Sequence, residues 1–258
     1  MSLIPKIIET DNPSSGDGGI TEAIILAGGL GTRLRSVVPD LPKCMAPVNG
    51  KPFIAYVIDH LQKQGIEKFI FSLGFKHEMI AEYLNSFQEK SRTQNSPVTI
   101  HYSIEEEKLG TGGAIKLACS VVKEKNVLIV NGDTLFKIDV TKLFDFHLSN
   151  NAHCTLSLKP MKEFDRYGVV ELNSDNSIKG FNEKKYYHEG LINGGVYALN
   201  VNKFLEENLP TKFSFEKDYL EKFYWQRKMF GVIQDKYFID IGTPEDYVRA
   251  QKELMNGS

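Results

Sequence analysis

Residues 23–34 read Ala-Ile-Ile-Leu-Ala-Gly-Gly-Leu-Gly-Thr-Arg-Leu. The run from Ala23 to Ala27 shows no polar alternation, so it predicts a strand buried on both faces, as inside a parallel sheet. It ends in Gly28 and Gly29, and Gly31 follows. Glycines spaced this closely let backbone approach a ligand and turn N–H groups toward phosphate. A tight turn that binds nothing would use the same residues. Arg33 comes next, with a guanidinium that can grip phosphate oxygens in pairs, and Pro42-Lys43 adds a second cation further on. A dinucleotide fingerprint needs another glycine where Leu34 stands, and a P-loop needs Gly-Lys-Ser/Thr after its spacer; neither is present.

Outward from this strand the chain alternates. Pro52 stands where a first helical turn would begin, Phe53, Ile54, Val57, Ile58 and Leu61 follow at helical spacing, and Gly65 closes the segment. Residues 68–73 (KFIFSL) predict a second strand, 77–87 an amphipathic helix and 98–103 a third strand. A glycine-rich turn then leads into a helix through Ala114, Ile115, Ala118, Val121 and Val122. Residues 127–130 (VLIV) predict a fourth strand, ending in Asn131-Gly132-Asp133. Such alternation predicts an α/β protein with a Rossmann-like doubly wound sheet. From His153 onward short strands dominate: CTLSLKP, YGVVEL, SIKGFNE and GGVYAL, with Asn173-Ser174-Asp175-Asn176 as a hairpin turn. Helices return near Val201–Asn208, Phe215–Trp225 and Pro244–Leu254. The expected organisation is a flexible extension over 1–20, either an ordered arm or an added scar in its first ten residues, and one domain over 21–258. That domain divides into a first half at about 21–150 and a more β-rich second half at 151–258.

Lys plus Arg number 31 and Asp plus Glu 33, so the net charge of −2 provides no global field to attract a polyanion. No dense basic run suggests nucleic-acid binding. Cys44, Cys119 and Cys154 are odd in number, widely spaced and without a CxxC pair, which fits packing residues in a reducing cytoplasm. No apolar run reaches the ~18 residues of a membrane span, and the N-terminal stretch lacks the apolar core of a secretory signal. The six histidines form no HExxH and no serine sits in GxSxG, so a hydrolytic zinc site and a nucleophile elbow are not expected. Phe223, Tyr224 and Trp225 stand in a row that one helix face cannot bury; they fit either a homodimer interface or core packing.

The glycine loop does not stand alone. GGLGTRL (28–34) with Pro42-Lys43, LGTGGAI (109–115), NGDT (131–134), NEK (182–184), INGGVY (192–197) and IDIGTPEDY (239–247) occur in order across about residues 22–250. Together they resemble the signature of the sugar-1-phosphate nucleotidyltransferases. FDRYGVV (164–170) and LINGGVY (191–197) are most similar to the branch acting on D-glycero-α-D-manno-heptose 1-phosphate with GTP. Mannose-1-phosphate guanylyltransferases and other hexose-1-phosphate enzymes are the alternative; the mannose enzymes usually carry an extra C-terminal domain, and few residues follow Tyr247 here. A non-catalytic nucleotide-sugar sensor on the same scaffold would be expected to lack the charged signature residues, all of which are present.

The resemblance implies a GT-A-like nucleotidyltransferase fold with a nucleotide-binding first half and a smaller sugar-binding second half. Its reaction joins a nucleoside triphosphate, GTP or another, to a sugar 1-phosphate with release of pyrophosphate, supplying a nucleotide sugar for cell-surface polysaccharide. It implies that Arg33 stabilises the departing β- and γ-phosphates, that Lys43 meets the α-phosphate or the sugar phosphate, and that Asp133 and Asp240 hold Mg²⁺. Nucleotide contacts fall on Leu26, Ala27, Gly28, Gly29, Gly31, Thr32, Glu105, Gly110 and Thr111. Glu105 matches the base-reading position; guanine presents adjacent N1–H and N2–H₂ donors, which suit a carboxylate, although Glu105, Glu106 and Glu107 also read as a solvated acidic turn. Sugar-phosphate contacts fall on Tyr167, Gly168, Glu183, Lys184 and Asn193, with Asp165 and Arg166 beside them.

Overall fold

β1 (Glu22–Leu26) is the strand predicted by the apolar run. Ala23 and Ile25 face one core and Ile24 the other, which is why no polar residue interrupts it. The computed structural model describes residues 20–29, 34, 37–74, 76–93 and 97–255. Gly31, Thr32 and Arg33 of the glycine loop, and nearly all of the predicted extension, lie outside the described residues.

A 3-10 turn (Lys43–Met45) leads into β2 (Pro47–Val48) and β3 (Lys51–Pro52), joined by Asn49 and Gly50. α1 (Phe53–Lys63) begins directly after Pro52, and its five apolar residues at helical spacing are all buried. Next come β4 (Lys68–Leu73), α2 (His77–Thr93), β5 (Thr99–Ile104), α3 (Gly110–Ala118) and β6 (Asn126–Asn131). β1, β4, β5 and β6 are parallel, in the spatial order β6-β1-β4-β5. The chain therefore moves outward from β1 through β4 to β5, and α3 carries it back to the other side of β1. α1 and α2 cover one face and α3 the other. The order reverses between β1 and β6, so a crevice opens at their carboxyl ends.

The second half continues this sheet. β7 (Thr134–Phe136), α4 (Val140–Ser149), β8 (Cys154–Phe164), β9 (Val169–Leu172), β10 (Ile178–Asn182), β11 (Tyr187–Asn200) and α5 (Val201–Leu205) are followed by a π-helical turn (Phe215–Leu220). That turn runs into α6 (Glu221–Phe223), then β12 (Met229–Ile233), β13 (Phe238–Asp240) and α7 (Pro244–Glu253). β11 is antiparallel to both β6 and β8, and β12 is parallel to β8, giving the run β12-β8-β11-β6-β1-β4-β5. The β9–β10 hairpin, turned by residues 173–176 as predicted, joins β11 where Ile192 faces Val169.

Several expectations need correction. α3 starts at Gly110, so the glycine-rich stretch is its first turn rather than a loop before it. α2 runs to Thr93. α4, β7, β12 and β13 were not foreseen. The segment near 215–225 is mostly a π turn: Phe223 and Tyr224 pack against the core, Tyr224 edge-on to Phe181, while Trp225 is exposed. Cys44, Cys119 and Cys154 are free and buried, and burial pushes their thiols upward, Cys44 and Cys119 to about 12. No described helix is long and apolar enough to cross a membrane.

Candidate active site

The carboxyl ends of β1, β4 and β6 meet the N-terminus of α3 around a cleft of about 520 Å³. Leu26, Ala27, Gly28, Gly29, Glu105, Gly110 and Thr111 line it, as do Lys43 and Asp133. Backbone bonds hold its floor: Ala27 N–H donates to Ser72 O and Gly132 N–H to Leu26 O, each at 2.9 Å.

Glu105 follows β5 and lies against the glycine loop. A Cβ on Gly28 would stand 3.3 Å from Glu105 Oε1 and 3.2 Å from the Gly74 nitrogen, so a side chain there would press on the carboxylate. Leu109 N–H donates to Glu105 Oε2 at 2.9 Å. Burial raises the Glu105 pKa and that hydrogen bond works against the shift. Gly110 then takes φ +73°, and a Cβ there would lie 2.5 Å from the Phe213 carbonyl oxygen. The position excludes a side chain on conformational and steric grounds alike.

At the other end of the cleft Lys43 Nζ donates to Asp133 Oδ2 at 2.6 Å and to Asp240 Oδ1 at 3.1 Å. Burial disfavours the ammonium, but the two carboxylates together outweigh it and hold the Lys43 pKa above its ordinary value. The meeting of the two aspartates has a specific origin. β13 pairs antiparallel with β7, Asp240 faces Thr134, and Ile241 N–H donates to Asp133 O at 3.1 Å. Among the described residues no group of three or more His, Cys, Asp or Glu side chains forms a cage for an ion. Two hard carboxylates brought together on one lysine at the edge of the cleft suit Mg²⁺, which takes one or two carboxylates and completes its shell with phosphate and water oxygens.

Behind Asp240 stands a second layer. Tyr167 OH donates to Asp240 Oδ2 at 3.4 Å, and Arg166 Nη2 lies 3.9 Å from the same oxygen. Arg166 also pairs with Asp246 and donates to Thr243 Oγ1 at 3.3 Å. Thr243 caps α7 by accepting from Asp246 N–H, so the cap of this helix also anchors the arginine. Burial, with Asp240 adding to it, pushes the Tyr167 hydroxyl up to about 12.

The other residues matched to sugar contacts are more dispersed. Asn193 Nδ2 donates to Tyr197 OH at 2.9 Å, and its Oδ1 accepts from Gly195 N–H at 3.0 Å. It thus braces the bulge of β11 between Asn193 and Tyr197. Gly195, at φ +71°, approaches Asn131, whose Nδ2 would lie 2.5 Å from a Cβ there; the close approach allowed by this glycine is to a cleft-lining side chain. Gly168 packs on the Asn182 carbonyl. Glu183 and Lys184 are exposed between β10 and β11 and do not line the cleft. Asn131, Lys108, Ser72 and Glu216 line it without having been singled out. Only Asn131, inside the NGDT string, and Lys108, in the stretch from Ile104 to Gly110 expected to face the base, had a local signal.

The nucleotidyl transferase family profile matches residues 22–257. The chain belongs to that family. It is 54% identical over 235 residues, covering 91% of this chain and 99% of the relative, to the D-glycero-alpha-D-manno-heptose 1-phosphate guanylyltransferase of Aneurinibacillus thermoaerophilus. It is 45% identical over 226 residues to the enzyme of that name from Campylobacter jejuni, covering 88% and 96%. The crystal structure of HddC from Yersinia pseudotuberculosis complexed with GMP-PN is similar with a TM-score of 0.77 at 36% identity, covering 90% of this chain and 99% of that one. The α/β architecture with its mixed main sheet is the fold of this family.

Proposed function

We propose that the protein transfers a guanylyl group from GTP to D-glycero-α-D-manno-heptose 1-phosphate. An oxygen of the sugar phosphate attacks the α-phosphorus, the bond to the β-phosphate oxygen breaks, and pyrophosphate leaves. The observation that carries this reading is the axis of the cleft. A carboxylate, Glu105, stands against the glycine loop at one end; Lys43 with Asp133 and Asp240 stands at the other. The first suits a base with paired donors, the second a chain of phosphates. The extent of identity to guanylyltransferases of that name supports the same substrates.

In this reading Leu26, Ala27, Gly28, Gly29, Gly31, Thr32, Gly110 and Thr111 wall the nucleotide, and Glu105 accepts from guanine N1–H and N2–H₂. Arg33 steadies the departing phosphates. Lys43 neutralises the reacting phosphates and keeps the aspartates together before substrate arrives. Mg²⁺, held by Asp133 and Asp240, supplies charge neutralisation on the phosphate oxygens when bound. Tyr167, Gly168 and Asn193 receive the sugar phosphate, and Glu183 and Lys184, which lie outside the nucleotide cleft, contact it from the exposed turn between β10 and β11. Positioning and electrostatics do most of the catalysis, because the chemistry needs no covalent help from the protein.

Pyrophosphate release measured for the four nucleoside triphosphates, each against heptose, mannose, glucose and galactose 1-phosphates, tests the proposal. GTP with the heptose phosphate is expected to give the highest kcat/KM. Preference for UTP or CTP overturns the role of Glu105. Preference for mannose 1-phosphate moves the assignment to mannose-1-phosphate guanylyltransferase, a name also borne by a relative from Mycobacterium tuberculosis at 31% identity.

A further inference from the structure

We propose that Glu216 is a further substrate-reading residue, a carboxylate that accepts a hydrogen bond from a hydroxyl of the acceptor sugar phosphate. The inference rests on the guanylyltransferase reading above. Glu216 lies in the π turn and lines the cleft although it belongs to the second half of the chain. Its Oε2 accepts from Thr111 Oγ1 at 2.8 Å and from Ser214 Oγ at 3.1 Å, while Phe215 N–H donates to Thr111 Oγ1 at 2.9 Å. One carboxylate oxygen is thus fixed by the start of α3 and by the residue capping its own turn. Among the described residues the other, Oε1, has no hydrogen-bond partner, and no cation pairs with Glu216.

A fixed, unpaired carboxylate is a poor neighbour for phosphates, so its natural partner in this cleft is a neutral donor. Base and phosphates are already matched by Glu105 and by Lys43. Glu216 also lies within electrostatic reach of Tyr197, whose hydroxyl accepts from Asn193. Asn193 is assigned above to the sugar phosphate, so Glu216 and Asn193 both lie near Tyr197, on the side expected to receive the acceptor. The π geometry agrees: such turns are uncommon, are costly in regular packing and recur at functional sites.

Steady-state kinetics of Glu216→Gln and Glu216→Ala, with GTP and the heptose 1-phosphate, provide the test. Loss of a charge-assisted hydrogen bond is expected to raise KM for the sugar phosphate about tenfold or more, with KM for GTP within about twofold. A deoxy sugar phosphate lacking the contacted hydroxyl should show the same loss in the wild type and no further loss in Glu216→Ala. A role confined to holding Thr111 would not produce that non-additivity. Glu216→Gln keeps an acceptor for Thr111 and Ser214 and decides the matter if the alanine variant does not fold. An unchanged KM for the sugar phosphate in folded Glu216→Gln overturns the inference. So does non-additivity with 2′- or 3′-deoxy-GTP, which would place Glu216 on the ribose. A wild type inactive with GTP on every sugar 1-phosphate overturns the guanylyltransferase reading and this inference with it; an active wild type with an unaffected Glu216→Gln removes Glu216 alone.

Discussion

Lys43 holds together two carboxylates that would otherwise repel, and its Nζ reaches both within hydrogen-bond distance. In the proposed reaction, replacing it removes a fixed charge that would face the reacting phosphates. Lys43→Ala is expected to lower kcat by about a hundredfold or more, checked by pyrophosphate release on protein whose circular dichroism is unchanged. His147 shows a different residue-scale effect. It is 1% exposed, with Nε2 3.3 Å from Asn126 Oδ1 and Nδ1 2.9 Å from Thr155 Oγ1. A neutral ring donating from Nε2 and accepting at Nδ1 satisfies both partners. Burial, with Lys203 and His153 adding to it, lowers its pKa from 6.5 to about 4. The unfolded chain therefore takes up a proton below pH 6.5 that the native state refuses until about pH 4, and stability falls as pH drops through that window. The slope from this one group approaches about 1.4 kcal/mol per pH unit. Urea denaturation across the window should show a flatter pH dependence for His147→Gln than for the wild type; equal slopes would refute the assignment.

At the scale of elements, the start of α3 shows what the glycines do. Gly110 lies under the Phe213 carbonyl, Phe213 N–H donates to Leu109 O at 2.9 Å, and Gly112 N–H donates back to Phe213 O at 3.0 Å. This reciprocal clasp ties the start of α3, which lines the cleft, to the segment preceding the π turn. Gly110→Ala, strained at φ +73° and sterically blocked, is expected to destabilise the protein by about 2 kcal/mol or more, read from the midpoint of chemical denaturation. β1, α1, β4 and β6 were legible because each carries a local pattern: an unbroken apolar run, or apolar residues at helical spacing bounded by Pro52 and Gly65. α4 carried such a pattern too, with Asp139 capping it through Lys142 N–H and Val140, Leu143, Phe144 and His147 buried, and its signal could have been found. β7 and β13 were not legible. Each has three residues and exists only because the other pairs with it.

At the scale of the molecule, the net charge of −2 proved to be no obstacle to polyanionic substrates. The charges that matter are gathered where the strand order reverses. Because the cleft draws on both halves of the chain, ligand should stabilise the whole. At a hundred times Kd, GTP with Mg²⁺ adds about 2.7 kcal/mol, which for a chain of this size raises Tm by roughly 5–10 °C. Differential scanning fluorimetry should show that rise in the wild type, and EDTA, Asp133→Asn or Asp240→Asn should remove most of it. An undiminished shift in both variants would refute the metal assignment.

The sequence by itself determined the α/β class, through runs and periodicities local to each element. It also determined the family, through six short strings in order, and that resemblance, aligned on Gly110, singled out Glu105 as the base-reading position. Only the tertiary structure decided that Asp133 and Asp240 share one lysine, that Arg166 and Tyr167 brace Asp240 from behind, and that Glu216 enters the cleft. Those three arrangements join residues far apart in the chain through pairing of very short strands, an ion pair onto a helix cap and an irregular turn. None leaves a periodic trace, because the physical cause lies in contacts that exist only after the sheet has assembled.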